Sequence, residues 1–227
     1  TNGPWSKRIP KVFFRGRDSN EYRLNFVIEH NGTVTPSDRT WADVAISKNE
    51  GNYFPNEEAR LKDAMCPVQK VNRNRFVTFF RYQYQLNIDG TVAAYRFPAL
   101  LAGGSTVFKQ ESPYYEHFYS QLEPYKHYIP IKRDLSDVKE KWEWAIDHPV
   151  ESVSMARQAQ LFARKWLSLT QIYCYHMKFF ETYASKQNFK SKIREGMELA
   201  NDEKRGKISK DMLGKCVCDG RKGRQAR

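Results

Sequence analysis

Short apolar runs alternate along the chain with longer stretches whose apolar residues recur every three or four positions. The short runs are typical of buried strands, and the longer stretches are typical of amphipathic helices. Strands that alternate with helices in this way predict an α/β fold with a parallel sheet. The predicted strands cover residues 11–14, 41–46, 86–88, 105–109 and 127–131. The predicted helices cover residues 19–29, 57–65, 91–101, 136–147, 150–167 and 169–186.

Two of the predicted helices begin with residues that favour an N-cap. Asp18 precedes Glu21 by three residues, which is the spacing of a capping box. Ser136 precedes an acidic first turn, where a carboxylate interacts favourably with the helix dipole. The helix over residues 91–101 is expected to break or kink near Pro98, because proline lacks the N–H that an interior helical position needs.

Two glycine turns follow predicted strands, at the edge of a parallel sheet where ligands bind. Arg15 and Arg17 flank Gly16 in the first turn, and Arg96 follows Gly90 of the second turn by six residues. Backbone N–H groups at a helix start and arginine side chains both bind anions, so the sequence indicates an anion site here. The alternative is that Gly90 only makes a turn and that Arg96 is a structural ion-pair partner. Arg15 and Arg17 would then be solvated surface residues.

The composition of the chain differs between a long first part and a basic last part. The 227 residues are 40% hydrophobic, enough for one ordinary core, and the net charge is +12. Nine Lys or Arg residues and only four Asp or Glu residues lie in the last 26 positions, 202–227. We therefore expect a globular domain over residues 1–190 and a basic, mobile tail over residues 191–227. A solvated tail is favoured over a nucleic-acid interface, because no helix-turn-helix, zinc-finger or RNP pattern accompanies the charge.

Several common chemical signals are missing from the sequence. It has no Asp-x-Asp pair, P-loop or nucleophile elbow, and its five histidines lack metal-ligand spacing. No apolar run approaches the roughly 20 residues that span a bilayer, so no transmembrane segment is expected. Asn31 opens a glycosylation sequon, although Asn-Gly also makes a good turn, which is the favoured role. Cys216 and Cys218 are too close together for an ordinary zinc site.

Five short motifs follow one another in a fixed order: residues 13–19 (FFRGRDS), 87–98 (NIDGTVAAYRFP), 114–119 (YYEHFY), 127–131 (HYIPI) and 135–137 (LSD). Together they resemble the Rumi-type protein O-glucosyltransferases, which form glycosyltransferase family 90 and carry a capsule-associated-protein-like domain. The resemblance extends over residues 5–186. Within the family it is strongest to the KDEL-tailed branch, which also ends in Cys-x-Cys and a basic tail.

The resemblance implies the carboxyl-terminal, donor-binding half of a GT-B enzyme, with a Rossmann-like parallel sheet and flanking helices. The family's catalytic base is an aspartate in the other half, and no residue here matches it, so no catalytic residue is predicted in this chain. Glu116 is expected at the ribose or the sugar. The other donor-binding residues that the family pattern implies are Arg15, Gly16, Arg17, Ser19, Thr91, Val92, Ala93, Ala94, Tyr95 and Arg96.

The resemblance further implies an inverting transfer of glucose, or of xylose, from a UDP-sugar to serine hydroxyls of EGF-like repeats in the endoplasmic reticulum lumen. No metal or other cofactor is expected. Arginines and backbone N–H groups must then stabilise the charge on the UDP leaving group. The expected partners are the UDP-sugar and an EGF-repeat protein, with no nucleic acid. The alternative is a catalytically silent module that binds UDP-sugars or acts as a chaperone in the same compartment.

The sequence departs from the KDEL-tailed relatives in two ways. Its last residues, 223–227 (GRQAR), are not a retention tetrapeptide. Retention in the reticulum is therefore expected only if the chain continues further. The filamin-like module and the acceptor-binding half of those relatives are also absent from this sequence. The resemblance implies that Cys174 pairs with a cysteine of that half.

Overall fold

One parallel sheet organises the chain. The computed structural model describes residues 4–30, 41–47, 76–189 and 192. Five strands in these ranges pair in the order β2-β1-β3-β4-β5, and every pairing is parallel. The predicted α/β class with a parallel sheet is thus confirmed. The strands are β1 Ile9–Gly16, β2 Ala42–Ile46, β3 Tyr82–Asn87, β4 Thr106–Gln110 and β5 Ile129–Ile131.

Helices connect and follow the strands. The α-helices of the described ranges are α1 Glu21–His30, α2 Phe97–Ala102, α3 Val138–Asp147, α4 Pro149–Trp166 and α5 Leu169–Lys186. Short 3-10 helices span Trp5–Lys7, Phe76–Arg81 and Tyr119–Gln121. The chain divides into two compact units, residues 1–164 with the sheet and residues 165–227 with α5. None of the described helices combines the length and hydropathy that a membrane crossing requires.

The two faces of the sheet bury alternate side chains, as the pleat of a strand requires. Val12 and Phe14 of β1 belong to a buried cluster that includes Leu24 and Val27 of α1. Phe13 lies between them in sequence and stacks on the ring of Tyr82, with 4.2 Å between the ring centroids. Strand β1 is therefore covered on both faces, which is the environment typical of parallel strands.

The second glycine turn differs from the prediction. The residues from Thr91 to Arg96 form bends and turns, and α2 begins only at Phe97, with Pro98 in its first turn. Proline fits there because the first N–H groups of a helix have no intrahelical partner. The expected helix over residues 91–101 is therefore wrong in its start, and Arg96 is the N-cap residue of α2.

The predicted N-caps also differ. Asn20, and not the buried Asp18, caps α1, because its side-chain oxygen accepts the backbone N–H of Arg23 at 3.0 Å. Helix α3 begins two residues after Ser136. The Ser136 hydroxyl donates instead to Asp134 at 2.8 Å and so does not serve the helix.

Several predictions stay untested. The expected partner of Cys174 is one of them, although the residue itself is buried in α5. Others lie outside the described residues: the helix over residues 57–65, the sequon at Asn31, the cysteines Cys66, Cys216 and Cys218, and the tail beyond residue 192.

Gly16, the last residue of β1, leaves no room for a side chain. A Cβ atom here would lie 2.6 Å from the ring of Phe14 and 3.3 Å from the guanidinium of Arg23. At Gly90 a Cβ atom would lie 3.1 Å from the hydroxyl of Ser19 and 3.4 Å from the guanidinium of Arg23, so only a small shift of the Ser19 hydroxyl is needed. The two glycines therefore differ in how much substitution they tolerate.

Gly16→Ala is expected to lower the free energy of unfolding by about 1–3 kcal/mol, the range for overpacking a core. Both the Phe14 ring and the Arg23 guanidinium must shift to admit the methyl group. Gly90→Ala is the matched control and is expected to cost less. Urea unfolding followed by circular dichroism measures both variants, and equal losses would contradict the packing argument.

Candidate functional site

Three neighbouring cavities lie along the carboxyl edge of the sheet. The arginine cavity, of about 540 Å³, is lined by Arg17, Ser19, Arg23 and residues 90–96. The connecting cavity, of about 210 Å³, shares three of these lining residues. The tyrosine cavity, of about 530 Å³, is lined by five tyrosines and three lysines among others. It shares three lining residues with the connecting cavity: Gln110, Glu111 and Tyr114.

Most of the predicted donor-binding residues come together in one place. Arg15, Gly16 and Glu116 line none of the three cavities. Arg15 instead forms an ion pair with Asp43 of β2 at 2.5 Å and donates to the Phe14 carbonyl at 2.9 Å. Its guanidinium therefore joins the end of β1 to the start of β2. The eight predicted residues that line the arginine cavity are Arg17, Ser19, Thr91, Val92, Ala93, Ala94, Tyr95 and Arg96.

Arg23 was not predicted from the sequence as a site residue, yet its side chain lines the arginine cavity and links two of the segments that form it. Only 4% of the residue is exposed. Its Nη1 donates to the Ser19 hydroxyl at 2.9 Å and to the Arg17 carbonyl at 3.2 Å, and its Nη2 donates to the Ile88 carbonyl at 2.7 Å. The loop after β1 is thereby tied to the end of β3. The sequence carries one signal of this role: Arg23 stands four residues before the apolar Val27, on the face of α1 that faces the core.

Two amide side chains fix the turn that follows β3. Asn20 donates to the carbonyls of Asp89 and Gly90, at 2.6 and 3.0 Å. Gln110 accepts the backbone N–H of Asp89 at 2.9 Å and donates to the Arg133 carbonyl at 2.6 Å. The turn is therefore held by the start of α1 on one side and by the end of β4 on the other.

Arg96 brings a second largely buried guanidinium to the cavity. The group donates to the Arg15 carbonyl, and its carbon lies 5.5 Å from the centroid of the Phe14 ring and 5.8 Å from that of Phe79. Burial lowers the pKa of Arg96 to about 10. A guanidinium packed between aromatic rings keeps its charge while losing most of its hydration.

The buried Arg23 and the partly buried Arg96 give the cavity its electrostatic character. Burial, reinforced by the neighbouring Arg96 cation, lowers the pKa of Arg23 to about 9, while Asp89 acts in the opposite direction. Both groups therefore remain protonated at neutral pH. Neither forms an ion pair with a carboxylate in the described part of the chain. Two desolvated cations that border one cavity without a counter-ion suit the binding of an anion.

The described ranges contain no cluster of side chains that could bind a metal ion. Within them, no group of three or more His, Cys, Asp or Glu side chains is close enough to hold a metal ion. His127, His148 and His176 each hydrogen-bond to a backbone group. The side chains that line the arginine cavity include the guanidinium groups of Arg17, Arg23 and Arg96 and the hydroxyl groups of Ser19, Thr91 and Tyr95.

Comparison with known sequences places these features in a family. The model of glycosyl transferase family 90 matches residues 1–222. Human protein O-glucosyltransferase 3 is 43% identical over 199 residues, which cover 88% of this chain and 36% of the relative. Protein O-glucosyltransferase 2 of Danio rerio is 43% identical over 223 residues, covering 98% of this chain and 41% of the relative. Human protein O-glucosyltransferase 1 is 27% identical over 195 residues, which cover 86% of this chain and 47% of the relative.

Comparison with solved structures supports the same fold. HepE of Anabaena, solved in complex with UDP-glucose, aligns with a TM-score of 0.53 at 9% identity, covering 80% of this chain and 50% of that protein. Sucrose-phosphate synthase of Thermosynechococcus elongatus aligns with a TM-score of 0.54 at 7% identity, covering 82% of this chain and 48% of that protein. Both are GT-B glycosyltransferases, so the predicted Rossmann-like half of a GT-B fold is confirmed.

The chain spans less than half the length of the relatives that it matches. Its higher identity to protein O-glucosyltransferases 2 and 3 than to protein O-glucosyltransferase 1 confirms the predicted likeness to the KDEL-tailed branch. The family model covers nearly all of the sequence, and the chain therefore belongs to glycosyl transferase family 90.

Proposed function

We propose that this chain binds the nucleotide-sugar donor of a protein O-glucosyltransferase and holds the donor's diphosphate in the arginine cavity. The observation that carries the proposal is the pair of guanidinium groups of the buried Arg23 and the partly buried Arg96, which border the cavity without a carboxylate partner in the described ranges. Hydrogen bonds between guanidinium and phosphate are among the strongest in proteins, because both groups are charged. The names of the relatives and the UDP-glucose bound to HepE support UDP-glucose as the donor.

The three arginines of the cavity have different roles in this proposal. Arg96 and the exposed Arg17 contact the diphosphate, while Arg23 keeps the loop after β1 and the turn after β3 at a fixed separation. The small side chains of Ala93 and Ala94 let a ligand approach the main chain closely. Negative charge grows on the UDP as it leaves, and preorganised cations stabilise that charge in the transition state. The proposed reaction therefore needs no divalent metal.

The whole enzyme, in this proposal, transfers glucose to a serine hydroxyl of an EGF-like repeat in the endoplasmic reticulum lumen. The serine oxygen bonds to the anomeric carbon, the bond from that carbon to the UDP oxygen breaks, and the serine proton passes to a carboxylate base. This displacement inverts the configuration of the anomeric carbon. We place the base in the part of the relatives that this chain does not span. UDP-xylose is the alternative donor, and titration of both UDP-sugars tests the choice.

Arg96→Ala is expected to weaken UDP binding by roughly 1.5–3 kcal/mol, the range for a hydrogen bond to a charged group. Uridine, which lacks phosphates, should bind the wild type and the variant with equal affinity. Arg96→Lys should recover only part of the loss, because a point charge cannot replace the planar fork of a guanidinium. Isothermal titration calorimetry with UDP and with uridine measures each affinity.

Arg157→Ala is the matched control for this series, since Arg157 is exposed on α4 and lines none of the three cavities. A parallel loss of UDP and uridine binding in Arg96→Ala would indicate a folding defect. Unchanged UDP affinity in Arg96→Ala would show that Arg96 is structural, and the phosphate assignment would have to be withdrawn.

Arg23→Lys is expected to lower both the UDP affinity and the free energy of unfolding, each by about 1–3 kcal/mol. A lysine cannot reach the Ser19 hydroxyl and the Arg17 and Ile88 carbonyls together, so at least one buried acceptor loses its donor. Calorimetry and urea unfolding measure the two effects. A variant that loses stability but keeps the full UDP affinity would contradict the positioning role of Arg23.

The proposed metal independence predicts equal UDP affinity in a chelator and in dilute magnesium chloride. The arginines already supply the cations that a divalent metal provides in other transferases. Calorimetric titration with UDP in EDTA and in Mg²⁺ measures the difference. A tenfold gain with magnesium, about 1.4 kcal/mol, would show that a metal ion belongs to the donor site.

A further inference from the structure

A carboxylate of β2 lies close to the donor cavity without lining it. Asp43 pairs with Phe13 in the register of β1 and β2. Its Oδ1 accepts from Nη2 of Arg15 at 2.5 Å, and its Oδ2 accepts from the hydroxyl of Tyr82. None of Asp43, Arg15 and Tyr82 lines any of the three cavities. An effect of this cluster on a ligand in those cavities must therefore pass through another residue.

The Arg15 side chain is fixed at several points. Its Nη1 donates to the carbonyls of Phe14 and Asp43, each at 2.9 Å. Its guanidinium carbon lies 4.6 Å from the centroid of the Phe13 ring, which stacks in turn on Tyr82. Burial and the hydrogen bond to Asp43 raise the pKa of Tyr82 to about 12, so this hydroxyl remains a donor at neutral pH. The cluster therefore holds Arg15 through both oxygens of one carboxylate and through a stack of rings.

The backbone of Arg15 links the cluster to the arginine cavity. The guanidinium of Arg96 donates to the Arg15 carbonyl. In the described residues, β1 pairs with β2 as far as Gly16, whereas its pairing with β3 ends at Phe13 and Gln85. Arg96 thus binds β1 beyond the last residue that pairs with β3. The strand that supports this carbonyl is β2, which carries Asp43.

We propose that Asp43 is a positioning residue of the donor site, which fixes Arg15 so that the Arg15 carbonyl holds the guanidinium of Arg96 toward the diphosphate. The hydroxyl of Tyr82 keeps Asp43 in place. The positioning role rests on the proposed function, because it takes Arg96 to contact the diphosphate. A guanidinium that is already oriented loses less conformational freedom when a ligand binds, so more of its interaction energy appears as affinity.

Asp43→Asn is expected to weaken UDP binding about three- to tenfold and to leave uridine binding unchanged. The carboxylate serves two donors with two oxygens, but an amide has only one oxygen. Either Arg15 or Tyr82 therefore loses its acceptor and faces an NH2 group. Isothermal titration calorimetry with both ligands measures the effect.

Asp147→Asn is the matched control for Asp43→Asn. Asp147 is exposed at the end of α3, lines none of the three cavities and forms no ion pair in the described part of the chain. This variant makes the same chemical change and should keep both affinities. A loss of UDP affinity as large as that of Asp43→Asn would overturn the positioning role.

A double-mutant cycle separates positioning from a purely structural role. In an Arg96→Ala background, Asp43→Asn should cause no further loss of UDP affinity, because the residue through which Asp43 acts is gone. A structural defect would cost the same in both backgrounds. Equal losses in the two backgrounds, or an unchanged UDP affinity in Asp43→Asn alone, would overturn the proposal.

Tyr82→Phe decides the question if Asp43→Asn fails to fold. It removes the hydroxyl that donates to Asp43 and keeps the ring that stacks on Phe13. We expect a loss of UDP affinity of about two- to threefold that disappears in the Arg96→Ala background. With Asp43→Asn unfolded, a Tyr82→Phe variant that binds UDP like the wild type would overturn the proposal.

The same titrations distinguish this proposal from the proposed function. If the wild type binds no UDP, the proposed function fails and the positioning role falls with it. If Arg96→Ala keeps the full UDP affinity, the phosphate assignment and the positioning role are both overturned. If Arg96→Ala weakens UDP binding and a folded Asp43→Asn does not, only the positioning role is overturned.

Discussion

The carboxyl edge of the sheet depends on the hydrogen bonds of one buried arginine. Arg23 reaches the carbonyls of Arg17 and Ile88 and the hydroxyl of Ser19, and so joins the loop after β1 to the end of β3. Burying a cation costs free energy unless hydrogen bonds and counter-charges replace its hydration. Here the replacement is incomplete, because Nε of Arg23 is buried and makes no hydrogen bond. In the proposed function, an anion in the adjacent cavity would stabilise the same arginine that shapes the cavity.

The sheet could be predicted from the sequence because its signals are local. The apolar run at residues 105–109 lies one position from the observed strand β4, and the helical spacing after residue 150 marks α4 closely. The start of α2 could not be predicted in this way. Small residues such as Ala93 and Ala94 favour a helix in isolation, but Asn20 binds the preceding turn from a point 69 residues away along the chain. Contacts between residues so far apart along the chain produce no periodic pattern of apolar residues in the sequence.

The position of the candidate site at the sheet edge was predictable, but the contacts of its arginines were not. Both glycine turns follow parallel strands, and the carboxyl ends of parallel strands meet at one edge. Arg15 and Arg17 look alike in the sequence, yet Arg15 pairs with Asp43 while Arg17 lines the cavity. The difference comes from the pairing of β1 with β2, which places Asp43 opposite Phe13, two residues before Arg15. Only the folded sheet distinguishes an arginine that pairs with a neighbouring strand from one that lines the cavity.

The proposed place of the diphosphate follows from a difference between two cationic cavities. Three lysines line the tyrosine cavity, and a lysine also binds phosphate, so positive charge alone does not decide between the two cavities. The tyrosine cavity also contains carboxylates, because Glu111 and Asp137 line it. In the arginine cavity the pKa values of Arg23 and Arg96 are both lowered by burial, and its lining within the described residues includes no carboxylate. Phosphates in the arginine cavity therefore meet desolvated guanidinium groups, whereas phosphates in the tyrosine cavity would lie beside carboxylates that repel them.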